Sequence, residues 1–115
     1  MFVNLITSAF QELTKANQFR EDGFSGKSRV SARRAAGLSI QYYLDKNRIS
    51  TPTKNAYELL LYFQTLQVVP AEIREAGQTL TLRVDESFNL PSTNDPILAA
   101  EVILQWILSN FPESE

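Results

Sequence analysis

The stretch Gly77-Gln78-Thr79-Leu80-Thr81-Leu82-Arg83-Val84, GQTLTLRV, decides the fold. Its second part, TLTLRV, alternates polar and apolar residues as a half-buried strand does, and threonine favours strands. The residues before it say otherwise. Pro70 suits the first position of a helix, and Ile73, Ala76, Leu80 and Val84 recur at helical spacing. A strand also needs a partner, and no second strand is legible elsewhere in the chain. The spacing therefore predicts a helix over about 70–84 and an all-α fold.

Downstream, DESFNLPSTND reads as a polar loop. A helix follows, with Asn94 or Asp95 as its cap and Pro96 at its first position, continuing through Phe111. Ile97, Ala100, Ile103, Leu104, Ile107 and Phe111 form its apolar stripe. Ala99, Val102 and Trp106 add a second apolar face beside it. So wide an arc needs cover on two sides. The cover is either the loop carrying Phe88 and Leu90, or a second subunit seated on Val102 and Trp106.

Upstream, AYELLLYFQTL belongs to a helix over about 53–66, with Pro52 near its start. Glu58 and Thr65 mark its one wet stripe, and the rest is expected to be buried. The helix before it, about 27–47, is rich in Ser31, Ala32, Ala35, Ala36, Gly37 and Ser39. Small residues let other helices approach closely, so this one is expected at the centre. The first helix, about 3–20, carries Phe2, Ile6, Ala9, Phe10, Leu13, Ala16 and Phe19 on one stripe, and REDGFSG ends it with two glycines. The whole, residues 1–115, reads as a single-domain antiparallel bundle of about five helices.

Composition narrows the chemistry. The chain is 43% hydrophobic and 21% charged, which is globular composition. It has neither cysteine nor histidine. Thiol nucleophiles, thiolate or imidazole metal sites and Ser-His triads are therefore excluded. No catalytic residue, metal or cofactor is assigned. No secretory leader or membrane span is legible, and a cytoplasmic location is the expectation. The net charge of -2 conceals an asymmetry: residues 1–50 hold eight bases and four acids, residues 51–115 three bases and nine acids. The two halves can neutralise each other within one chain or across a dimer.

Between the first two helices lies Gly23-Phe24-Ser25-Gly26-Lys27-Ser28, GFSGKS, which ends like a phosphate-binding loop. The match fails. The first glycine of that motif falls on Glu21, and an amphipathic helix rather than a strand precedes it. Ser25 or Ser28 is read instead as the cap of the second helix. The bases that follow are harder to explain. Lys27, Arg29, Arg33 and Arg34 crowd the positive pole of a helix, where cations are disfavoured. Lys27, Arg29 and Arg33 form a candidate anion site. The reading preferred, given the acidic second half, is that Arg29 and Arg33 pair with carboxylates such as Glu21, Asp22, Asp85 or Glu86 or a partner subunit's acids, while Arg34 faces solvent. Tyr42 and Tyr43 are candidates for base stacking, though core positions suit them better.

The segments GKSRVSARRAAGLSIQYYL and PAEIREAGQTLTLRV resemble small bacterial helical proteins of the HEPN-like and nucleotidyltransferase-substrate-binding group. That resemblance implies an antiparallel bundle that dimerises. The group's ribonucleases carry an arginine followed a few residues later by histidine, so their catalytic motif does not transfer to a chain without histidine. The reading is a self-associating interaction or regulatory module, without enzymatic activity and acting as a homodimer. The dimer would form through the fifth helix or the small-residue face of the second. The alternative is a HEPN-like anion- or RNA-binding protein using the basic start of the second helix. The pI near 5.2 does not favour nucleic acid.

Overall fold

A computed structural model of the protein describes residues 4–50, 53–82 and 95–113. Among them are five helices: α1 (Leu5–Glu21), α2 (Ser25–Lys46), α3 (Ala56–Gln64), α4 (Ala71–Thr81) and α5 (Pro96–Asn110). The fold is an all-α bundle. Phe2, Pro52, Val84, Asp85, Glu86, Phe88, Leu90 and Asn94 lie outside the described residues.

α1 and α2 form an antiparallel hairpin. Gly23 makes the turn with a φ of 84°, a left-handed value that a Cβ opposes. The amide of Phe24 donates to Phe19 O at 2.8 Å and that of Gly23 to Arg20 O at 3.1 Å, closing the end of α1. No serine caps α2. Phe24 occupies the cap position without a side-chain hydrogen bond, and Ser25 already lies inside the helix. Ser28 instead turns its buried hydroxyl onto Ala16 O at 2.8 Å, tying the two helices together.

α2 is the central helix, in contact with each of the other four. Ala32, Ala35, Ala36, Gly37 and Ser39 are buried within the bundle. This removes the small-residue face of α2 as a dimer surface. At Gly37 an added Cβ would lie 2.8 Å from the Ala56 Cβ and 3.0 Å from its Cα, so the crossing of α2 and α3 depends on glycine. α3 and α4 form a second antiparallel hairpin, and the Arg74 side chain donates across its turn to Gln64 O, Leu66 O and Val69 O.

α4 stays helical through Thr81, whose hydroxyl donates back to Gly77 O at 3.1 Å. Burial of Ile73, Ala76 and Leu80 on one face outweighs the strand propensity of the two threonines. α5 begins at Asp95, whose carboxylate accepts from the amides of Ile97 and Leu98 and pairs with Arg20 at the end of α1. Burial raises the Asp95 pKa, but the hydrogen bonds from Arg20 and the two amides, with the Arg20 charge, outweigh it and hold the group below its ordinary value. This pair joins the basic first half of the chain to the acidic second half.

Tyr43 of α2, Phe63 of α3, Trp106 of α5 and Phe111, which follows α5, pack as one aromatic cluster, with contacting ring centroids 5.0–6.1 Å apart. Two expectations of burial fail. Phe10 on α1 is 46% exposed, and Leu61 and Tyr62 on α3 also face solvent. α3 has only nine residues and one buried face, so its wet side is broader than Glu58 and Thr65.

Candidate functional site

The structure divides the basic cluster into three environments. Lys27 lies at the surface beside aromatic rings, 4.9 Å from the Phe24 centroid and 5.8 Å from that of Phe19. Arg29 is buried. One of its terminal nitrogens donates to Thr79 O at 3.0 Å and Leu82 O at 3.1 Å. Arg33 donates through Nε to Leu80 O at 2.9 Å and sets its guanidinium over the Tyr57 ring at 5.8 Å. Burial first, and the Arg33 charge second, lower the Arg29 pKa.

The partners of Arg29 and Arg33 are therefore the end carbonyls of α4, not the carboxylates of Glu21 or Asp22. The physical reason lies in α4. It has no basic residue in its last turn and, among the described residues, no backbone N–H that caps it, so its final carbonyls take other donors. Two guanidinium groups at the negative pole of α4 also outweigh their cost at the positive pole of α2. Lys27, Arg29 and Arg33 are thus not brought together as one anion site. Arg34 is exposed, as expected. Tyr42 and Tyr43 are buried, and Tyr42 donates to Phe111 O at 2.7 Å, so neither ring is presented for stacking.

The candidate interface residues take a different form. Val102 and Trp106, both half-buried, line a groove of about 830 Å³ with Phe10, Leu13, Ile73 and Leu98. Trp106 has two roles at once: its ring meets Tyr43 and Phe63 inside the bundle, and it forms part of the groove wall. Phe10 and Leu98 stand at the groove 46% and 54% exposed. Its polar lining includes Thr14, Asn17, Gln105 and Ser109, with Glu101 as the one charged group. The sequence placed Phe10 in the core stripe of α1, and Leu98 belonged to no stripe, so the groove was only half legible.

A second concavity, of about 460 Å³, lies where α1, α2 and α3 meet. It holds Arg33 and Arg34 of α2, Lys54 just before α3, Tyr57 of α3 and Glu12 of α1. Nothing in the spacing of the sequence places Lys54 beside the two arginines. The one local signal was Asn55, three residues before Glu58, a cap that starts α3 at Ala56 rather than at the expected 53.

No helix among the described residues is long and apolar enough to cross a membrane. No protein-family model, curated protein or solved structure matches the chain.

Proposed function

We propose that the chain is an interaction module that self-associates as a homodimer through the groove between α1 and α5. The observation that carries this reading is the pairing of a hollow, walled by Val102 and Trp106, with two projecting apolar side chains, Phe10 and Leu98. A two-fold interface needs a surface that complements itself. Here knobs and hollow occupy one surface, so each copy can insert Phe10 and Leu98 beside the other's Trp106. The lining is nearly uncharged, so apposing two copies buries few charges. The absence of histidine and cysteine supports a binding role over a catalytic one.

Sedimentation of the wild type and two variants tests it. We expect a dimer at micromolar concentration. Leu98→Glu removes about 1.4 kcal/mol of apolar burial on each copy, so dissociation should become at least about 100-fold easier. Val68→Glu, at a site 61% exposed and away from the groove, should leave the dimer intact. A wild type that stays monomeric at tens of micromolar, or a dimer indifferent to Leu98→Glu, overturns the proposal.

A further inference from the structure

The concavity between α1, α2 and α3 collects positive charge that no described carboxylate pairs with. Arg34 and Lys54 are exposed and make no ion pair with any described residue. Arg33 spends only Nε on Leu80 O, and no hydrogen bond joins its two terminal nitrogens to a described residue. The first turn of α3 opens into the same space. Asn55 Oδ1 takes the amide of Glu58 at 3.1 Å and Asn55 O takes that of Leu59 at 2.9 Å. Capping leaves the amides of Ala56 and Tyr57 without an acceptor among the described residues, and both residues line the cleft. Three cations and a helix start are the donor set that phosphate takes.

The α1 side of the concavity is chemically opposite. Glu12 is the one acid lining it, and its Oε2 lies 3.5 Å from Lys15 Nζ. The other oxygen, Oε1, is buried and accepts no hydrogen bond. A buried carboxylate oxygen without a donor is costly, and a rotation of the Glu12 side chain toward the cleft it lines would let a ligand hydroxyl or amine satisfy it. Val30 and Leu38 add apolar wall to the space. Its volume, about 460 Å³, falls within the range of small-ligand pockets, about 300–1,000 Å³.

We infer that this cleft binds a small phosphomonoester, with Arg33, Arg34, Lys54 and the start of α3 holding the phosphate and Glu12 accepting from a hydroxyl or amino group on the remainder. Sugar phosphates and nucleoside monophosphates share that chemistry. The inference does not depend on the homodimer, because the groove and the cleft use different residues.

Titration calorimetry with inorganic phosphate, glucose 6-phosphate, adenosine 5′-monophosphate and adenosine tests it. The wild type should bind at least one of the two esters more tightly than inorganic phosphate, and adenosine not at all. The tighter ester identifies the source. Affinity should fall steeply with salt. Arg34→Ala and Lys54→Ala each remove one exposed cation, so both variants should fold. Each should weaken the ester about tenfold or more. Glu12→Gln should weaken the ester while leaving inorganic phosphate unchanged. The inference is overturned if neither ester binds at millimolar concentration, or if both cation variants bind like the wild type. It is equally overturned if phosphate and the esters bind alike, or if the protein prefers single-stranded RNA to either ester.

Discussion

Arg29 is 8% exposed, and its burial is tolerated because three helix-end carbonyls need donors that α4 does not supply. Arg29 serves Thr79 O and Leu82 O, and Arg33 serves Leu80 O. In the sequence this appears as two separate features: too many bases where α2 starts, and a last turn of α4 that holds no base and is followed by no glycine. Each explains the other, but only once the ends of α2 and α4 are known to meet. That meeting is a tertiary fact without local signature, so the arginines were legible as important and their partners were not. Arg29→Ala should leave two carbonyls without a charged donor and open a void at the α2–α4 contact. We expect a loss of about 2–4 kcal/mol, or about 10 °C in Tm for a domain of this size. Arg34→Ala should move Tm by no more than about 2 °C. Thermal unfolding of both variants checks the pair. Equal and small shifts would mean that water serves the α4 carbonyls as well as Arg29 does.

Among the elements, helix existence was read correctly from periodicity, while helix ends were not. The apolar run 56–66 extends beyond α3, which stops at Gln64. The alternation of TLTLRV obscured α4, whose burial pattern at Ile73, Ala76 and Leu80 carries the helix to Thr81. Ends depend on capping geometry, which a pattern of apolar residues reports poorly. α1 and α2 finish in the same way, one with the usual residue and one without it. After α1, Gly23 adopts a φ of 84°, and after α2, Arg48 adopts 56°. In the second ending the amide of Ile49 donates to Leu44 O at 2.9 Å and that of Arg48 to Asp45 O at 3.1 Å, repeating the bonds around Gly23. A left-handed conformation costs about 1–2 kcal/mol for a residue with a Cβ. Arg48→Gly should recover about 0.5–1 kcal/mol, the gain being reduced by the greater freedom of glycine in the unfolded chain. Gly23→Ala should lose about 1 kcal/mol by the reverse effect. Urea unfolding with unchanged slopes checks both. A destabilised Arg48→Gly would show that the side chain contributes more than its backbone strain costs.

At the scale of the whole molecule, α1 separates the two surfaces. Phe10, Leu13, Thr14 and Asn17 look into the apolar groove, whereas Glu12 turns to the basic cleft. A helix advances 100° per residue, so positions 10, 13, 14 and 17 share a face that position 12 leaves. Self-association and phosphomonoester binding should therefore be separable and nearly additive, since they share no side chain. Linkage makes this quantitative. A ligand that binds monomer and dimer equally cannot shift the dimer equilibrium, and dimerisation cannot then alter ligand affinity. Binding to the native state alone stabilises it in proportion to the logarithm of partner concentration over the dissociation constant. Wild-type Tm should thus rise by a few °C when protein concentration crosses the dimer constant, and Leu98→Glu should show no such rise. At saturation, the ester that binds should raise Tm by the same increment in the wild type and in monomeric Leu98→Glu. Lys54→Ala should lose the ligand increment and keep the concentration increment. Thermal unfolding across protein and ligand concentrations measures all four terms. A ligand increment that vanishes in Leu98→Glu would mean that the cleft is completed by the second copy, and that the two surfaces act as one site.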